Sequence, residues 1–185
     1  RQKLEPVLHQ HLPIFHSSHC LYARYLSKGN SYADCGHVCE RHKIHLQDEN
    51  GQDHLVLADL GCRNTVFNAQ AQSGADTLAD WLEEGISRYR IEFVDENGES
   101  VRNVLGAYSD LFAARGRAPE PLWSLLSGVA DSNGNAQGAS VGSLRSEKER
   151  KAGKGRKTTG QRRSHKVVVR RGNDATPRRK KAKTR

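Results

Sequence analysis

The sequence has no methionine and comparatively little apolar material. Hydrophobic residues make up 35% of its 185 residues and aromatic residues 6%, against roughly 45–50% apolar residues in an average globular domain. No run approaches the ~18–20 apolar residues that cross a bilayer, and no signal-peptide pattern opens the chain. The first residue is Arg1, so we expect a processed product or a piece of a longer protein, in which any upstream targeting information is not visible.

Charge is divided unevenly along the chain. Residues 1–140 hold 12 Lys and Arg against 18 Asp and Glu, a net charge of −6. Residues 141–185 hold 18 Lys and Arg against three Asp and Glu, a net charge of +15. This asymmetry predicts an acidic globular body that carries a polycationic arm.

The basic end of the chain has a composition typical of disorder. Residues 144–185 are low in complexity and nearly devoid of large apolar side chains, so they cannot bury enough surface to offset the entropy lost on ordering. A polycation binds nucleic acid through phosphates, which makes RNA the expected partner. A solvated arm or a nuclear-type targeting signal at 177–185 is the alternative. The candidate nucleic-acid-binding residues are Arg178, Arg179, Lys180 and Lys181.

The first part of the chain predicts strands around a cysteine-rich loop. Residues 4–15 are largely apolar and predict an extended segment, and residues 20–42 are irregular and rich in Gly, Asn, Ser and Cys. Across 44–57 apolar and polar residues alternate on both sides of Asn50-Gly51. This pattern predicts a β-hairpin whose turn has positive φ at both central positions.

The following part predicts a helix, a strand and a second helix. Apolar residues at helical spacing predict helices at 75–84 and from about residue 100 to Gly116, with an alternating strand at 88–94 between them. This order is typical of the end of an α/β domain, but the strands are too few for a closed sheet. We therefore expect further elements upstream. A short helix and a flexible linker are predicted across 117–143.

Four cysteines carry the clearest sign of a site. Their spacing is C-x14-C-x3-C-x22-C, and they are Cys20, Cys35, Cys39 and Cys62. Four thiols suit a structural zinc ion or an iron–sulfur cluster, whereas two disulfides need an oxidising compartment for which the sequence gives no sign. One close pair with two remote single cysteines favours a cluster held by several loops over a zinc ribbon. Unrelated buried thiols remain an alternative, and a reducing intracellular compartment is expected.

Three stretches resemble a known family. FHSSHC at 15–20, LSKGNSYADCGHVCERHKIHLQDENGQDHLVLADLGCRNTVFNAQAQSG at 26–74 and YRIEFVDE at 89–96 resemble the C-terminal part of the larger proteins of peptidase family U32, often called collagenase-like proteases. The similarity covers about residues 5–115. Its specific elements are CGxxC, GCRNTVFN and AQSG.

The resemblance implies a fold, a cofactor and an activity. It implies an α/β fold, with residues 1–116 forming the C-terminal portion of a TIM-like (β/α) barrel that carries a cysteine-rich loop region and a β-hairpin. The upstream barrel half of the same protein is then required. It also implies a four-iron four-sulfur cluster on the four cysteines. Characterised members are similar to oxygen-independent hydroxylases, several of which modify ribosomal or transfer RNA with prephenate as a requirement.

The chain departs from the family pattern at three positions. Ser18 stands where the family often has Glu, and Val38 stands where Pro is common inside CGxxC. Ala23 stands where some members have an additional Cys. None of these departures removes an expected ligand, but Ser18 removes an acidic group from the neighbourhood of the cluster.

Candidate catalytic residues adjoin the cysteines in sequence. His16 and His19 precede Cys20 and could hydrogen-bond to cluster sulfurs or to substrate. Arg63 follows Cys62, where its charge would act on the cluster or on an anionic ligand. A pair with Asp59 would give Arg63 a purely structural role.

Four further histidines occur at strand positions. His9 and His11 share one face of a strand and could point into a barrel mouth, although a polar strand face explains them equally well. His45 and His54 are expected on the solvent side of the predicted hairpin.

Three functions are consistent with these observations. The preferred one is an iron–sulfur-dependent hydroxylase of RNA, and the second is a U32-type protease. The chain has neither H-E-x-x-H nor G-x-S-x-G, so protease chemistry would need a thiol such as Cys20 with His16 or His19 as its base. The third is a non-catalytic, zinc-stabilised module that binds nucleic acid with its tail.

Overall fold

The computed structural model of the chain describes residues 4–130 and 134–144. Within them, eight strands form two four-stranded sheets, accompanied by four α-helices. The strands are β1 (Val7–Gln10), β2 (Pro13–Ser17), β3 (Ile44–Gln47), β4 (Asp53–Ala58), β5 (Asn64–Phe67), β6 (Ala71–Ser73), β7 (Arg90–Ile91) and β8 (Ala139–Ser140). The α-helices are α1 (Leu21–Leu26), α2 (Leu78–Glu83), α3 (Gly98–Ala113) and α4 (Glu120–Gly128).

Two short connections in the chain, β1 to β2 and β5 to β6, join the two sheets. The first sheet has the order β7-β1-β6-β8 and mixes parallel with antiparallel pairs, whereas the second, β2-β5-β4-β3, is antiparallel throughout. The chain passes from β1 to β2 and from β5 to β6 through a bend between the sheets. At the bend, the amide of Asn68 donates to the carbonyl of Leu12 at 2.7 Å. The predicted extended segment 4–15 therefore divides between two sheets.

The predicted hairpin is β3–β4, but its turn differs from the expectation. Residues 48–52 connect the strands, and of Asn50 and Gly51 only Gly51 has positive φ, at +80°. The carboxylate of Asp48 accepts hydrogen bonds from the amides of Asn50 at 2.9 Å and Gln52 at 2.8 Å. Because a side chain satisfies these donors, a longer loop replaces the two-residue turn.

The larger apolar core lies on the first sheet. Leu8 of β1 and Leu78 of α2 are fully buried against α3 and α4. Helix α3 begins at Asn97, whose side-chain oxygen accepts from the amides of Glu99 and Ser100, which satisfies two of the otherwise unpaired first-turn donors. Gly116 follows α3 with φ +73°, and a Cβ there would lie 2.5 Å from the amide nitrogen of Ala79.

A smaller apolar core lies on the second sheet. Its buried members are Tyr22, Ile44, Val56 and Val66, and Cys20 and Cys39 pack against them. The hydroxyl of Tyr22 donates to the carbonyl of Val56 at 2.6 Å. Helix α1 is thereby anchored to the central strand of this sheet, and the cysteine-bearing segments rest on its apolar side chains.

The segment predicted as a short helix and flexible linker is partly ordered. Helix α4 is present, and residues 134–144, here called the strap, add β8 to the first sheet and end in a short 3-10 turn. The side chain of Gln137 exchanges two hydrogen bonds with the backbone of Asp53, at 2.9 and 2.7 Å. These bonds explain why a stretch rich in small polar residues is held in place.

The remaining predictions of helices and strands have mixed outcomes. The helix predicted from about residue 100 to Gly116 is confirmed as α3, whereas the strand predicted at 88–94 is shorter and comprises only β7, Arg90–Ile91. No barrel is closed by the described strands, and none of the described helices combines the length and apolarity of a membrane span. Apart from its first residue, the basic tail 144–185 lies outside the described residues, and so do Arg178, Arg179, Lys180 and Lys181.

Candidate functional site

Three of the cysteines adjoin strand ends at one edge of the second sheet. Cys20 lies three residues after β2 ends, Cys39 lies five before β3 begins, and Cys62 lies in the turn from β4 to β5. In the antiparallel ladder, Asn64 at the start of β5 pairs with Ser17 and Ala58, the last residues of β2 and β4. The beginning of β3 pairs with the last part of β4. The topology therefore brings these three segments to the same edge.

Cys20 is held at the start of α1 by amide groups. It occupies the N-cap position, and its Sγ accepts from the Ala23 amide at 3.5 Å. The Nδ2 of Asn64 lies 3.9 Å from the same sulfur, while its Oδ1 accepts from the Leu21 amide at 2.5 Å. Amide N–H groups near a sulfur are typical of the surroundings of metal-bound cysteine ligands.

Cys39 is close enough to two other cysteines for their charges to act on it. Burial is the main cause that raises the pKa of the Cys39 thiol, and the charges of Cys20 and Cys35 raise it further. Such mutual repulsion of thiolates is what a bound cation relieves. All four cysteines are free thiols and are half-buried.

Cys62 and Arg63 lie in a turn organised by Asp59. Cys62 has φ +58°, and the Asp59 carboxylate accepts from the amides of Gly61 at 2.9 Å and Arg63 at 3.0 Å. The guanidinium of Arg63 meets the same carboxylate at 2.8 and 2.9 Å. Arg63 is 70% exposed, so the pair can open toward a ligand at little cost.

The two candidate histidines lie on the surface near this edge. His16 on β2 is exposed, and its Nδ1 lies 2.9 Å from the Thr65 hydroxyl. His19 is also exposed, and its backbone exchanges hydrogen bonds with the Ser17 hydroxyl. Neither imidazole hydrogen-bonds to Cys20 among the described residues, where the partners of the Cys20 sulfur are amide groups.

In the described part of the chain the thiols are not gathered around one metal position. Among residues 4–130 and 134–144, no three His, Cys, Asp or Glu side chains stand close enough to hold one metal ion. A tetrahedral zinc with Zn–S bonds of ~2.3 Å needs its sulfurs about 3.8 Å apart. Each cysteine of a four-iron cluster binds a different iron, so its sulfurs lie farther apart. Four thiols on loops, with two amide groups near the sulfur of Cys20, are the donor type that such a cluster takes.

A second group of polar residues lies between the two sheets. His11 donates through Nδ1 to the Asn68 carbonyl at 2.8 Å, and its Nε2 lies 3.1 Å from Glu96. Burial alone would raise the pKa of Glu96, but the hydrogen bond and charge of His11 and the amide of Val94 lower it to about 2. Both ring nitrogens of His11 therefore face oxygen acceptors. His11, in the connection between β1 and β2, thus contacts both the loop after β5 and the loop before α3.

His9 and His45 line the same region. His45 is 3% exposed, so the expectation that it lies on the solvent side of the hairpin is wrong. The strap and the first sheet cover that face, and local alternation cannot reveal such a cover. The Nδ1 of His9 lies 3.2 Å from the Tyr108 hydroxyl, which in turn lies 2.8 Å from Ser73 Oγ. Burial is the main cause that lowers the pKa of His9 to about 4.

Sequence reasoning assigned no specific role to the two polar residues on which these regions depend. Asn64 is fully buried at the sulfur of Cys20, and Glu96 lies on the loop that precedes α3. Asn64 alternates with buried Val66 along β5, so its inward position on a strand was a usable signal. Glu96 offered none, because its partner His11 is distant in sequence.

Comparisons with known proteins found no relative. No family model, no curated protein and no solved structure matches the chain. The geometry of the described residues and the sequence motifs therefore carry the functional argument.

Proposed function

We propose that Cys20, Cys35, Cys39 and Cys62 hold a four-iron four-sulfur cluster. We further propose that the chain is the C-terminal portion of a U32-type, TIM-like barrel enzyme that hydroxylates a base in RNA. The observation that carries the proposal is the convergence of three cysteine-bearing segments on one edge of an antiparallel sheet. Cys35 is included because it lies four residues before Cys39 in the CGxxC element, and its charge contributes to the raised pKa of the Cys39 thiol.

The chain's own groups would serve such a cluster in two ways. The apolar core around Ile44 and Val56 shields one side of Cys20 and Cys39, and a low-dielectric surrounding strengthens the interactions of their sulfurs with nearby dipoles. The amides of Ala23 and Asn64 donate toward Cys20, which stabilises negative charge on its sulfur. When bound, the cluster would supply one-electron chemistry.

The exposed polar residues beside the cysteines would meet the substrate. Arg63 can turn from Asp59 toward an anionic group, whether a phosphate of RNA or a carboxylate of a co-substrate such as prephenate. His16 and His19 are exposed at the same edge and could position or protonate a bound ligand. The basic tail would add phosphate contacts that carry no base specificity.

The remainder of the proposed barrel would cover apolar surface on β2. Ile14 and Phe15 on this edge strand are 50% and 46% exposed. An edge strand with exposed apolar side chains invites pairing with further structure. We propose that the upstream half of the same protein provides that cover and that the fragment alone is inactive.

Iron content tests the cofactor directly. The barrel-containing protein is reconstituted anaerobically, and a broad absorption band near ~400 nm with about four irons per chain is expected. Each of the four Cys→Ser variants should lose iron, whereas Ser109→Ala on the exposed face of α3 should keep it. Stoichiometric zinc without iron would sink the proposal and favour the zinc-stabilised module.

The reaction is tested separately from the cofactor. RNA from cells that lack the full-length protein is compared with wild-type RNA by mass spectrometry, and one nucleoside should be lighter by one oxygen atom. All four Cys→Ser variants should fail to restore it, because each breaks the same site. Unchanged RNA, together with casein or gelatin cleavage that disappears only in Cys20→Ser, would favour a protease, in which Cys20 is a free nucleophile.

A further inference from the structure

A cavity lies between the two sheets and none of the four cysteines lines it. Its volume is about 60 Å³. An ordered water needs about 10–15 Å³ of such space, so the cavity has room for about four to six non-hydrogen atoms. Both sheets, α4 and the strap form its wall. The apolar part of the wall includes Leu55, Phe67, Ala71, Val94, Leu126 and Ala139.

The imidazole ring of His9 is buried beside this cavity, and burial lowers its pKa to about 4, so it is neutral at pH 7. The residue is 2% exposed and lines the cavity. Its Nδ1 is held by the hydroxyl of Tyr108, which Ser73 holds in turn, so the ring orientation is fixed. Among the described residues no hydrogen bond reaches Nε2, and no fully buried side-chain nitrogen or oxygen there lacks a partner. Nε2 is therefore accessible from the cavity, where a ligand can bond to it.

The charged side chains of the wall are matched within the protein. His11 pairs with Glu96 at 3.1 Å, and Asp95 pairs with Lys43. The carboxylate of Asp53 accepts a hydrogen bond from the side-chain amide of Gln47 at 3.1 Å. A phosphate or carboxylate entering here would lose its hydration and meet more carboxylates than cations, which is unfavourable.

We propose that this cavity binds a small, flat, uncharged molecule that carries a donor and an acceptor on one edge, forms one hydrogen bond with His9 Nε2 through either of them, and packs its faces against the apolar wall. A neutral imidazole nitrogen donates or accepts according to its tautomer, so a ligand with both functions on one edge suits either form. Pockets with an apolar wall and a few placed polar groups are typical of small-molecule sites. This site is separate from the cysteine edge and does not depend on the proposed cluster.

Pyrazole is a suitable probe because it is flat, uncharged at neutral pH and has five non-hydrogen atoms with an adjacent donor and acceptor. The 185-residue chain is titrated at pH 7 while the imidazole resonances of His9 are followed by NMR. We expect saturable shifts with a Kd on the order of 1 mM, as ligands of this size allow. Acetate, of similar size but charged, should bind at least ten times more weakly.

Two variants separate this site from unspecific binding. His9→Asn keeps an amide at the Nδ1 position for Tyr108 and removes Nε2, and it should weaken pyrazole at least tenfold. Ala139→Leu fills the cavity from the strap and should abolish binding, whereas Ala113→Leu on exposed α3 should not change it. These variants are followed through the backbone resonances of Leu55 and Ala71.

Three results would overturn the proposal. They are the absence of His9 shifts at about 20 mM pyrazole, acetate binding as tight as pyrazole binding, and unchanged affinity in both His9→Asn and Ala139→Leu. The pyrazole–acetate comparison uses the unaltered chain, so it decides even where a variant fails to fold. Iron content does not enter any of these measurements.

Discussion

Asn64 hydrogen-bonds to Cys20 with one end of its side-chain amide and to the start of α1 with the other. Its Nδ2 lies 3.9 Å from the Cys20 sulfur, and its Oδ1 lies 2.5 Å from the Leu21 nitrogen. The residue is fully buried and pairs with Ser17 across the β2–β5 ladder. One side chain therefore connects the edge strand β2, the inner strand β5 and the first cysteine.

Replacing Asn64 by leucine should destabilise the fold by about 2 kcal/mol, because the Leu21 amide loses its acceptor and becomes a buried unsatisfied donor. Urea unfolding at pH 7 measures the change. Asn103→Leu on the exposed face of α3 is the control and should stay within about 0.5 kcal/mol of wild type. Equal stability of the two variants would show that the Asn64 amide is not structurally required.

The elements that the sequence predicts well are those set by local patterns. Helix α3 follows from an apolar stripe between Asn97 and Gly116, and the β3–β4 hairpin follows from alternation. Each depends on neighbours along the chain, so periodicity and capping residues suffice to predict it.

The elements that the sequence does not predict depend on contacts between distant residues. β8 is held to β6, and Gln137 binds the backbone of Asp53, 84 residues away. His45 is buried because the strap covers its side of the β3–β4 hairpin. The cysteines could be noticed from their clustering, but Asn64 as a sulfur partner required the register of β5. No local pattern encodes such pairings.

Glycine 116 and glycine 106 should respond oppositely to alanine. Gly116 has φ +73° and no space for a Cβ beside Ala79, so Gly116→Ala should cost about 2 kcal/mol or more. Gly106 lies on exposed α3 with no atom near its would-be Cβ, so Gly106→Ala should stabilise by about 0.5–1 kcal/mol. Thermal melts of both variants test this. A Gly116→Ala variant as stable as wild type would contradict the close contact at Gly116, and a destabilised Gly106→Ala variant would contradict the open space at Gly106.

Acid should weaken the clamp between His11 and Glu96. The pKa of Glu96 is lowered to about 2 in the folded chain, against about 4.3 when unfolded. A lowered carboxyl pKa stabilises the fold above the unfolded value, and this contribution is lost as the pH falls from about 4.3 toward 2. Glu96→Gln should therefore be less stable than wild type by about 3 kcal/mol at pH 7.

The pH series and a surface control make this prediction specific. The difference between wild type and Glu96→Gln, measured by urea unfolding, should shrink steadily below about pH 4.3. Glu99→Gln, on the exposed first turn of α3, should show no comparable difference at any pH. A stability difference between wild type and Glu96→Gln that stays the same between pH 7 and 3 would mean that the interaction with His11 does not depend on the charge of Glu96.

The basic tail should bind RNA through its charge rather than through its side-chain shapes. A protein that contacts Z phosphates shows a slope of about −0.7Z when the logarithm of its affinity for single strands is plotted against the logarithm of salt concentration. Replacing Arg178, Arg179, Lys180 and Lys181 by alanine should therefore flatten the slope by up to about 3. Exchanging Arg for Lys and Lys for Arg at the same four positions keeps every charge and should leave the slope unchanged.

Because phosphate contacts carry no sequence information, both effects should be alike for RNAs of different sequence. If deletion of 141–185 leaves affinity and salt slope as they were, RNA is held by the folded body alone and the tail has another purpose.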